Sequence, residues 1–182
     1  MAITYSQVPV QIHEVSLKNK PEVMLALSPK GTVPVLHCSN GRVIEQSLDI
    51  MVWALEQNDP SQWLNGYEIE SSNPLISAND GAFKHWLDRY KYFERYPEQS
   101  QAEYRKQAEQ ALIARLETEL THRQFLCGDR PTLADVAIFP FVRQFVAVDA
   151  NWFASSRWLK TRDWLTYWTQ SELFSKVMSK AV

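Results

Sequence analysis

Hydrophobic and polar residues alternate near the start of the chain and repeat at helical spacing over most of the remainder. In residues 8–15, VPVQIHEV, Val10 and Ile12 alternate with polar neighbours, which predicts a strand with incompletely sorted faces. The runs TVPVLHC (32–38) and RVIE (42–45) predict two further strands. An Asn-Gly pair stands between them and favours a hairpin, because both residue types tolerate positive φ.

Two helices are predicted within the same part of the chain. The stretch 19–27, NKPEVMLAL, has Pro21 near its start and Glu22 in its first turn. It ends before Pro29, because the residue preceding a proline is pushed out of the α region. The stretch 47–57, SLDIMVWALEQ, gathers its apolar residues on one helical face.

The rest of the chain reads as a linker followed by helices. Residues 58–76 carry turn-forming residues throughout and show no lasting period. Residues 77–182 contain repeated apolar stripes at helical spacing, and Thr132 with Asp135 fits a capping box before an apolar helix. We therefore predict an α+β domain over 1–57, a linker over 58–76 and an all-helical domain over 77–182.

Composition and charge exclude several classes of function. The chain has 182 residues and a net charge of −2, which provides no electrostatic basis for binding nucleic acid or an anionic membrane. No apolar run is long enough to cross a bilayer. The two cysteines, Cys38 and Cys127, and the four histidines show no metal-ligand spacing. We expect a cytoplasmic protein without a metal site.

Three motifs, taken in their order along the chain, resemble the glutathione S-transferases. They are Val33-Pro34 before the Asn-Gly hairpin, Gln46-Ser47 at a helix start, and the Thr132/Asp135 pair in a late apolar helix. The stretch 17–36, LKNKPEVMLALSPKGTVPVL, is most similar to the omega-like and glutaredoxin-like branches, which use a cysteine nucleophile. The resemblance implies a thioredoxin-like N-terminal domain followed by an all-helical C-terminal domain.

The resemblance also implies a set of residues that bind glutathione as co-substrate. Pro34 would be a cis-proline, and the main chain of Val33 would contact the cysteinyl part of glutathione. Ser47, at a helix N-terminus, would bind the γ-glutamyl carboxylate. Gln46 stands where the family has an acidic residue, so it can accept a hydrogen bond from the glutathione amine but cannot form an ion pair. Lys20 would contact the glycyl carboxylate.

The first helix after the linker corresponds to the segment that lines the second-substrate pocket in this family. The resemblance therefore implies that Trp86, Arg89, Tyr90 and Phe93 contact an apolar electrophile or a mixed disulfide. The aromatic residues equally fit a core stripe, and solvated or ion-paired arginines are the commoner outcome. Both interpretations stay open at this point.

The start of the chain departs from the family pattern. MAITYSQVPVQIHEV resembles the end of the first helix running into the second strand, so the first strand, most of helix 1 and the nucleophile would be missing. A gene model that starts too late is our preferred explanation. Edges that pair with each other or with another chain, and an unforeseen role of residues 1–6, are the alternatives. Cys38, Tyr5 and Ser6 are weak candidates for a replacement nucleophile.

Two functions follow from the resemblance. The first is a glutathione transferase or glutathione-dependent thiol transferase, active in a full-length form and usually a homodimer in this family. The second is a GST-like binding or interaction protein without a nucleophile. An unrelated α+β protein is a third, remote possibility.

Overall fold

The structure is a computed structural model that describes residues 1–65 and 72–179, with the side chains of residues 72 and 73 left out. The chain divides into two compact units, Met1–Ser61 and Gln62–Val182. Residues 66–71 of the predicted linker 58–76 lie outside the described residues.

The first unit combines short helices with a small hairpin. Its elements, in chain order, are α1 (Ala2–Tyr5), α2 (Glu22–Leu27), β1 (Leu36–His37), β2 (Val43–Ile44) and α3 (Ser47–Gln57). The two strands pair antiparallel, as the Asn-Gly signal predicts. Only Gly41 of the turn takes a positive φ, of +84°, while the Arg42 N–H donates to the Asn40 side chain at 3.0 Å.

The predicted strand over residues 8–15 is wrong. The segment is irregular, and Ile12 is 78% exposed. A strand needs a hydrogen-bonding neighbour, and in the described residues β1 and β2 pair only with each other. Val10 and Ile12 alternate with polar residues, but this segment is not part of a sheet, so the alternation does not create an apolar sheet face. The strand predicted over 32–38 shrinks to Leu36–His37, because Pro34 has no N–H for a ladder.

The second unit is entirely helical in its described residues, as predicted. One long helical run comprises α4 (Ser72–Ala78), a π-helical turn (Asn79–Phe83) and α5 (Lys84–Lys91), and a 3-10 turn (Phe93–Arg95) follows. A second run comprises α6 (Gln101–Ala108), a π-helical turn (Glu109–Ile113) and α7 (Ala114–His122). The remaining helices are α8 (Leu133–Val148), α9 (Ala150–Ser155), α10 (Leu159–Thr169) and α11 (Glu172–Met178).

The core of this unit forms around α8. One of the apolar stripes at helical spacing within residues 77–182, formed by Ala108, Leu112, Leu116 and Leu120, is buried. α8 contributes eight buried residues and continues through Pro140. The aromatic residues Phe139 and Trp168 pack with ring centroids 6.0 Å apart. α8 packs against α4 and α5 of the first long helical run and against α9 and α10, and Phe139 contacts Phe174 of α11.

Candidate functional site

The register of the hairpin brings two of the predicted site segments to the same end of the first unit. Leu36 pairs with Ile44, and His37 pairs with Val43. Pro34 lies two residues before β1 and Gln46 two residues after β2, so both segments leave the hairpin at the end opposite its Asn-Gly turn. The Val33–Pro34 peptide bond is cis, and Val33 is 46% exposed. Residues 33–34 and 46–47 therefore lie at the same end of the hairpin, and all four are exposed at this edge of the first unit.

The start of α3 lies at this edge and has free donors. Gln46 is the N-cap residue with extended backbone, and it makes no side-chain cap hydrogen bond in the part of the chain that the structure describes. Gln46 and Ser47 are both exposed. The first backbone N–H groups of an α-helix have no intrahelical partner, and the helix dipole is positive there. An 11-residue helix that begins in this way can accept a carboxylate.

Lys20 lies at the turn that precedes this edge. A Cβ added at Gly31 would lie 3.3 Å from Lys20 Nζ, so the ammonium group lies against the Gly31 backbone. Gly31 is buried with φ +61°, a conformation that favours glycine. The glycine therefore lets the Lys20 side chain approach the main chain two residues before Val33.

Glu45 is engaged on the first unit's interior side. Its carboxylate accepts a 2.5 Å hydrogen bond from the buried Ser28 hydroxyl and pairs with Lys30 Nζ at 3.6 Å. A carboxylate held in this way ties β2 to the end of α2. Gln46, the next residue in the chain, is exposed at the edge described above.

The three possible replacement nucleophiles lie in other surroundings. Tyr5 donates to Asp59 at 3.1 Å and accepts from the Ser61 N–H at 2.6 Å. Burial raises the pKa of Tyr5, which is the opposite of the activation that a nucleophile requires. Ser6 is buried in the first unit. Cys38 stands at the turn end of the hairpin, where its N–H donates to the Arg42 carbonyl at 2.8 Å.

Trp86 and Arg89, two of the predicted second-substrate residues, belong to one cation–aromatic cluster on the helical unit. The Arg89 guanidinium lies 4.6 Å from the Tyr96 ring centroid and 5.9 Å from that of Trp86. Trp86 also stacks on Tyr104, with centroids 6.3 Å apart. Sequence reasoning missed Tyr96, although its place in the aromatic segment 92–96 was an available signal. Arg89 is thus held by aromatic faces, as cation–π geometry allows.

Tyr90 and Phe93 are placed differently. Tyr90 is 1% exposed and packs on Phe145, with ring centroids 5.3 Å apart. Burial raises the pKa of its hydroxyl, against the opposing effect of the nearby Arg105. Phe93 is half-buried in the 3-10 turn. Tyr90 therefore serves the core, whereas Trp86 and Arg89 lie closer to the surface.

Over the described ranges 1–65 and 72–179, no group of three His, Cys, Asp or Glu side chains is arranged to hold a metal ion. Within the same ranges no helix has the length and apolar character needed to cross a bilayer.

Comparisons with family models match both units. Residues 1–57 match the model described as glutathione S-transferase, N-terminal domain, and residues 98–170 match the C-terminal domain of the same family. Together the two models match well over half of the chain. A search of the curated proteins found no match.

Solved structures share the fold at low sequence identity. A ternary complex of BphK, a bacterial GST, is 17% identical with a TM-score of 0.76, covering 97% of this chain and 90% of that one. Glutathione S-transferase 1-6 from Anopheles dirus species B is 18% identical with a TM-score of 0.77, covering 97% and 87%. A sphingomonad glutathione S-transferase complexed with glutathione is 17% identical with a TM-score of 0.73, covering 97% and 89%. These matches confirm the predicted fold class, a thioredoxin-like N-terminal domain followed by a helical domain.

Proposed function

The chain belongs to the glutathione S-transferase family, and from this premise we propose that it binds glutathione at the edge formed by residues 33–34 and 46–47. The observation that carries the proposal is the hairpin, which brings the exposed Val33-Pro34 and the exposed start of α3 to the same end of the first unit. The sphingomonad relative of similar fold is complexed with glutathione, which supports this choice of ligand.

Each part of glutathione has a chemically matched partner in the proposal. The γ-glutamyl carboxylate accepts from the Ser47 hydroxyl and the free N–H groups at the start of α3. The γ-glutamyl amine donates to the Gln46 side-chain carbonyl. The cysteinyl segment, which is a peptide, pairs with the Val33 main chain beside Pro34, and the Lys20 ammonium contacts the glycyl carboxylate.

The proposed reaction is glutathione transfer or thiol–disulfide exchange of the cysteine-type branch. The second substrate is an apolar electrophile or a glutathione mixed disulfide, held on the helical domain by the Trp86 and Arg89 cluster, with Tyr90 and Phe93 behind it. The stacked aromatic faces around Arg89 support an apolar or aromatic group there.

A second candidate function is a glutathione-binding protein without thiol chemistry of its own. Tyr5 and Ser6 are committed to hydrogen bonding and burial, and Cys38 lies at the opposite end of the hairpin from Val33. Five residues of extended chain, at about 3.3 Å each, allow Cys38 to lie up to roughly 16 Å from Val33. Placement of the Cys38 thiol at the turn end of the hairpin supports the second candidate. We also propose a homodimer, which is usual in this family, and a cytoplasmic location, which fits a chain with only two cysteines.

The proposal is tested by calorimetric titration of the chain and its variants with glutathione. We expect Ser47→Ala to weaken glutathione binding about tenfold, because a hydrogen bond to a charged group is lost. Gln46→Glu is expected to tighten binding several-fold, because a carboxylate can form an ion pair with the glutathione amine. Ser39→Ala, an exposed serine in the hairpin turn, is the matched control and should bind as the wild type does.

The same samples are then assayed with 1-chloro-2,4-dinitrobenzene and with the mixed disulfide of glutathione and cysteine. Binding with turnover supports the transferase, and binding without turnover supports the second candidate. Absence of binding at millimolar glutathione, or equal affinities for the wild type and Ser47→Ala, would overturn the proposed site.

A further inference from the structure

The helical unit contains a cavity of about 350 Å³, and none of the proposed glutathione-binding or second-substrate residues is among the residues that line it. Its walls come from the second helical run, at the junction of α6 with the π-helical turn, and from the segment around α9. The residues that matter for its chemistry are three cations, one carboxylate and two indoles: Arg105, Lys106, Arg157, Glu109, Trp152 and Trp158. Its volume lies within the range of small-molecule sites.

Two arginines of this cavity are stacked on its two tryptophans. The Arg105 guanidinium lies 4.0 Å from the Trp152 ring centroid, and that of Arg157 lies 4.4 Å from the Trp158 ring centroid. Stacking fixes a planar guanidinium by its face and leaves its edge, which carries the N–H groups, available for an oxyanion. The cavity therefore presents two oriented donor edges with aromatic surface directly behind them.

The described side chains that line the cavity carry more positive charge than negative charge. Among the described residues that line the cavity, Glu109 is the one carboxylate, and it pairs with Arg105 at 3.5 Å. Burial raises the pKa of Glu109, while Arg105, the Trp158 indole and Arg157 act in the opposite direction. Lys106 and Arg157 are exposed and have no acidic partner within ion-pair distance among the described residues. A ligand with a negative charge would balance these two cations.

Arg105 has a buried side-chain donor close to the cavity. Its Nε is buried and ion-paired with a Glu109 oxygen at 3.5 Å, without the geometry of a good hydrogen bond among the residues that the structure describes. The adjoining turn Glu109–Ile113 is π-helical, and such turns occur frequently at functional sites.

From this combination we infer that the cavity is a binding site for a small aromatic anion, an aryl carboxylate or an aryl sulfonate. The oxyanion takes the guanidinium edge of Arg157 and the ammonium of Lys106, and the ring lies against Trp152 and Trp158. Inorganic anions alone would leave the aromatic walls uncovered, and neutral aromatic compounds would leave the cations unpaired. The site lies wholly within the second unit and does not rest on the proposed glutathione site.

The test is calorimetric titration of the full chain with naphthalene-2-sulfonate, with 2-naphthylmethanol and sodium sulfate as neutral and ring-free comparisons. We expect Arg157→Gln and Lys106→Gln each to weaken naphthalene-2-sulfonate binding by about three- to tenfold. Both side chains are exposed, so folding is expected to be retained. Arg115→Gln, an exposed arginine on the same helical run and outside the cavity, is the matched control.

An NMR titration locates the bound compound. The indole N–H signals of Trp152 and Trp158, assigned with Trp152→Phe and Trp158→Phe, should shift on addition of naphthalene-2-sulfonate, while that of Trp86 should not. Equal affinities for wild type, Arg157→Gln and Lys106→Gln would overturn the inference. So would a shift confined to Trp86, or binding of 2-naphthylmethanol or sulfate as strong as that of naphthalene-2-sulfonate.

Discussion

The carboxylate of Glu117 caps a helix that begins more than forty residues later in the chain, through Thr161. One Glu117 oxygen accepts from the Thr161 backbone N–H at 2.9 Å and from the Thr161 hydroxyl at 2.8 Å. Its other oxygen accepts from the Lys160 N–H at 3.0 Å. Glu117 lies in α7, and Thr161 is fully buried in the first turn of α10. A side chain of one helix therefore supplies the cap that the other helix lacks in its own sequence.

Replacing Glu117 with alanine should destabilise the protein by about 2 kcal/mol. The change leaves the Thr161 N–H and hydroxyl and the Lys160 N–H without their acceptor, and one of these groups is fully buried. The measurement is the free energy of unfolding from guanidinium chloride titration. Glu119→Ala removes another carboxylate of the same helix, which pairs only with Arg123 in the described contacts, and should cost under about 1 kcal/mol. Equal losses for the two variants would contradict the capping role.

Replacing Asp135 with asparagine should cost about 2 kcal/mol. This buried carboxylate accepts from the Leu126 N–H, the Trp164 indole and both the N–H and the hydroxyl of Thr132, at 2.8–3.0 Å. An amide has one acceptor oxygen, so its NH₂ group would face donors that then lose their partner. Burial raises the pKa of Asp135, and the four hydrogen bonds oppose that shift.

The Asp135→Asn change is measured by urea titration with tryptophan fluorescence as the signal. Asp163→Asn provides the control, because that side chain is exposed on α10. A variant Asp135→Asn within about 0.5 kcal/mol of the wild type would show that relief of the buried charge offsets the lost hydrogen bonds. The capping role of Asp135 would then contribute little net stability.

Glu109→Gln should change how stability depends on pH. Burial raises the pKa of Glu109 in the folded state above its value in the unfolded chain. The folded state therefore binds this proton more readily, so the contribution of Glu109 is most favourable below the unfolded pKa and is lost as pH rises through the folded pKa. Glutamine does not titrate. The stability of Glu109→Gln relative to the wild type should rise between about pH 4 and pH 7.

The unfolding free energies of both proteins are compared across that pH range. Glu94→Gln, an exposed carboxylate of the 3-10 turn, is the control and should follow the wild-type curve. A difference between Glu109→Gln and wild type that stays constant or falls with pH would contradict the raised pKa.

Local signals in the sequence predicted the elements well where the cause of the element is local. The helix over 47–57 has the predicted bounds, and the Asn-Gly turn closes the β1–β2 hairpin. The contact between Thr132 and the Asp135 carboxylate also forms as predicted, because its partners are three residues apart. The strand over 8–15 failed, since a strand depends on a neighbour that residue alternation cannot supply.

For the same reason, the sequence predicted which residues form the candidate site better than it predicted where they lie. The order of Val33, Pro34, Gln46 and Ser47 was evident from the sequence and the family resemblance, whereas their common place at one end of the hairpin follows from the β1–β2 pairing. On the first helix after the linker, spacing could not separate Tyr90, which enters the core, from Trp86, which lies nearer the surface. Both occupy helical positions four residues apart, and only packing against other helices distinguishes them.

The amino-acid sequence by itself determined the family, the division into a mixed domain and a helical domain, and the turns, caps and apolar stripes of individual elements. These features depend on residues within about ten positions of each other, or on an order of motifs along the chain. The tertiary structure alone decided the Glu117 cap on α10, the Asp135 contact with Trp164, and the cavity between Arg105 and Arg157. Those groups lie 29 to 52 positions apart in the chain. No local pattern encodes such contacts, because they exist only once the helices have packed.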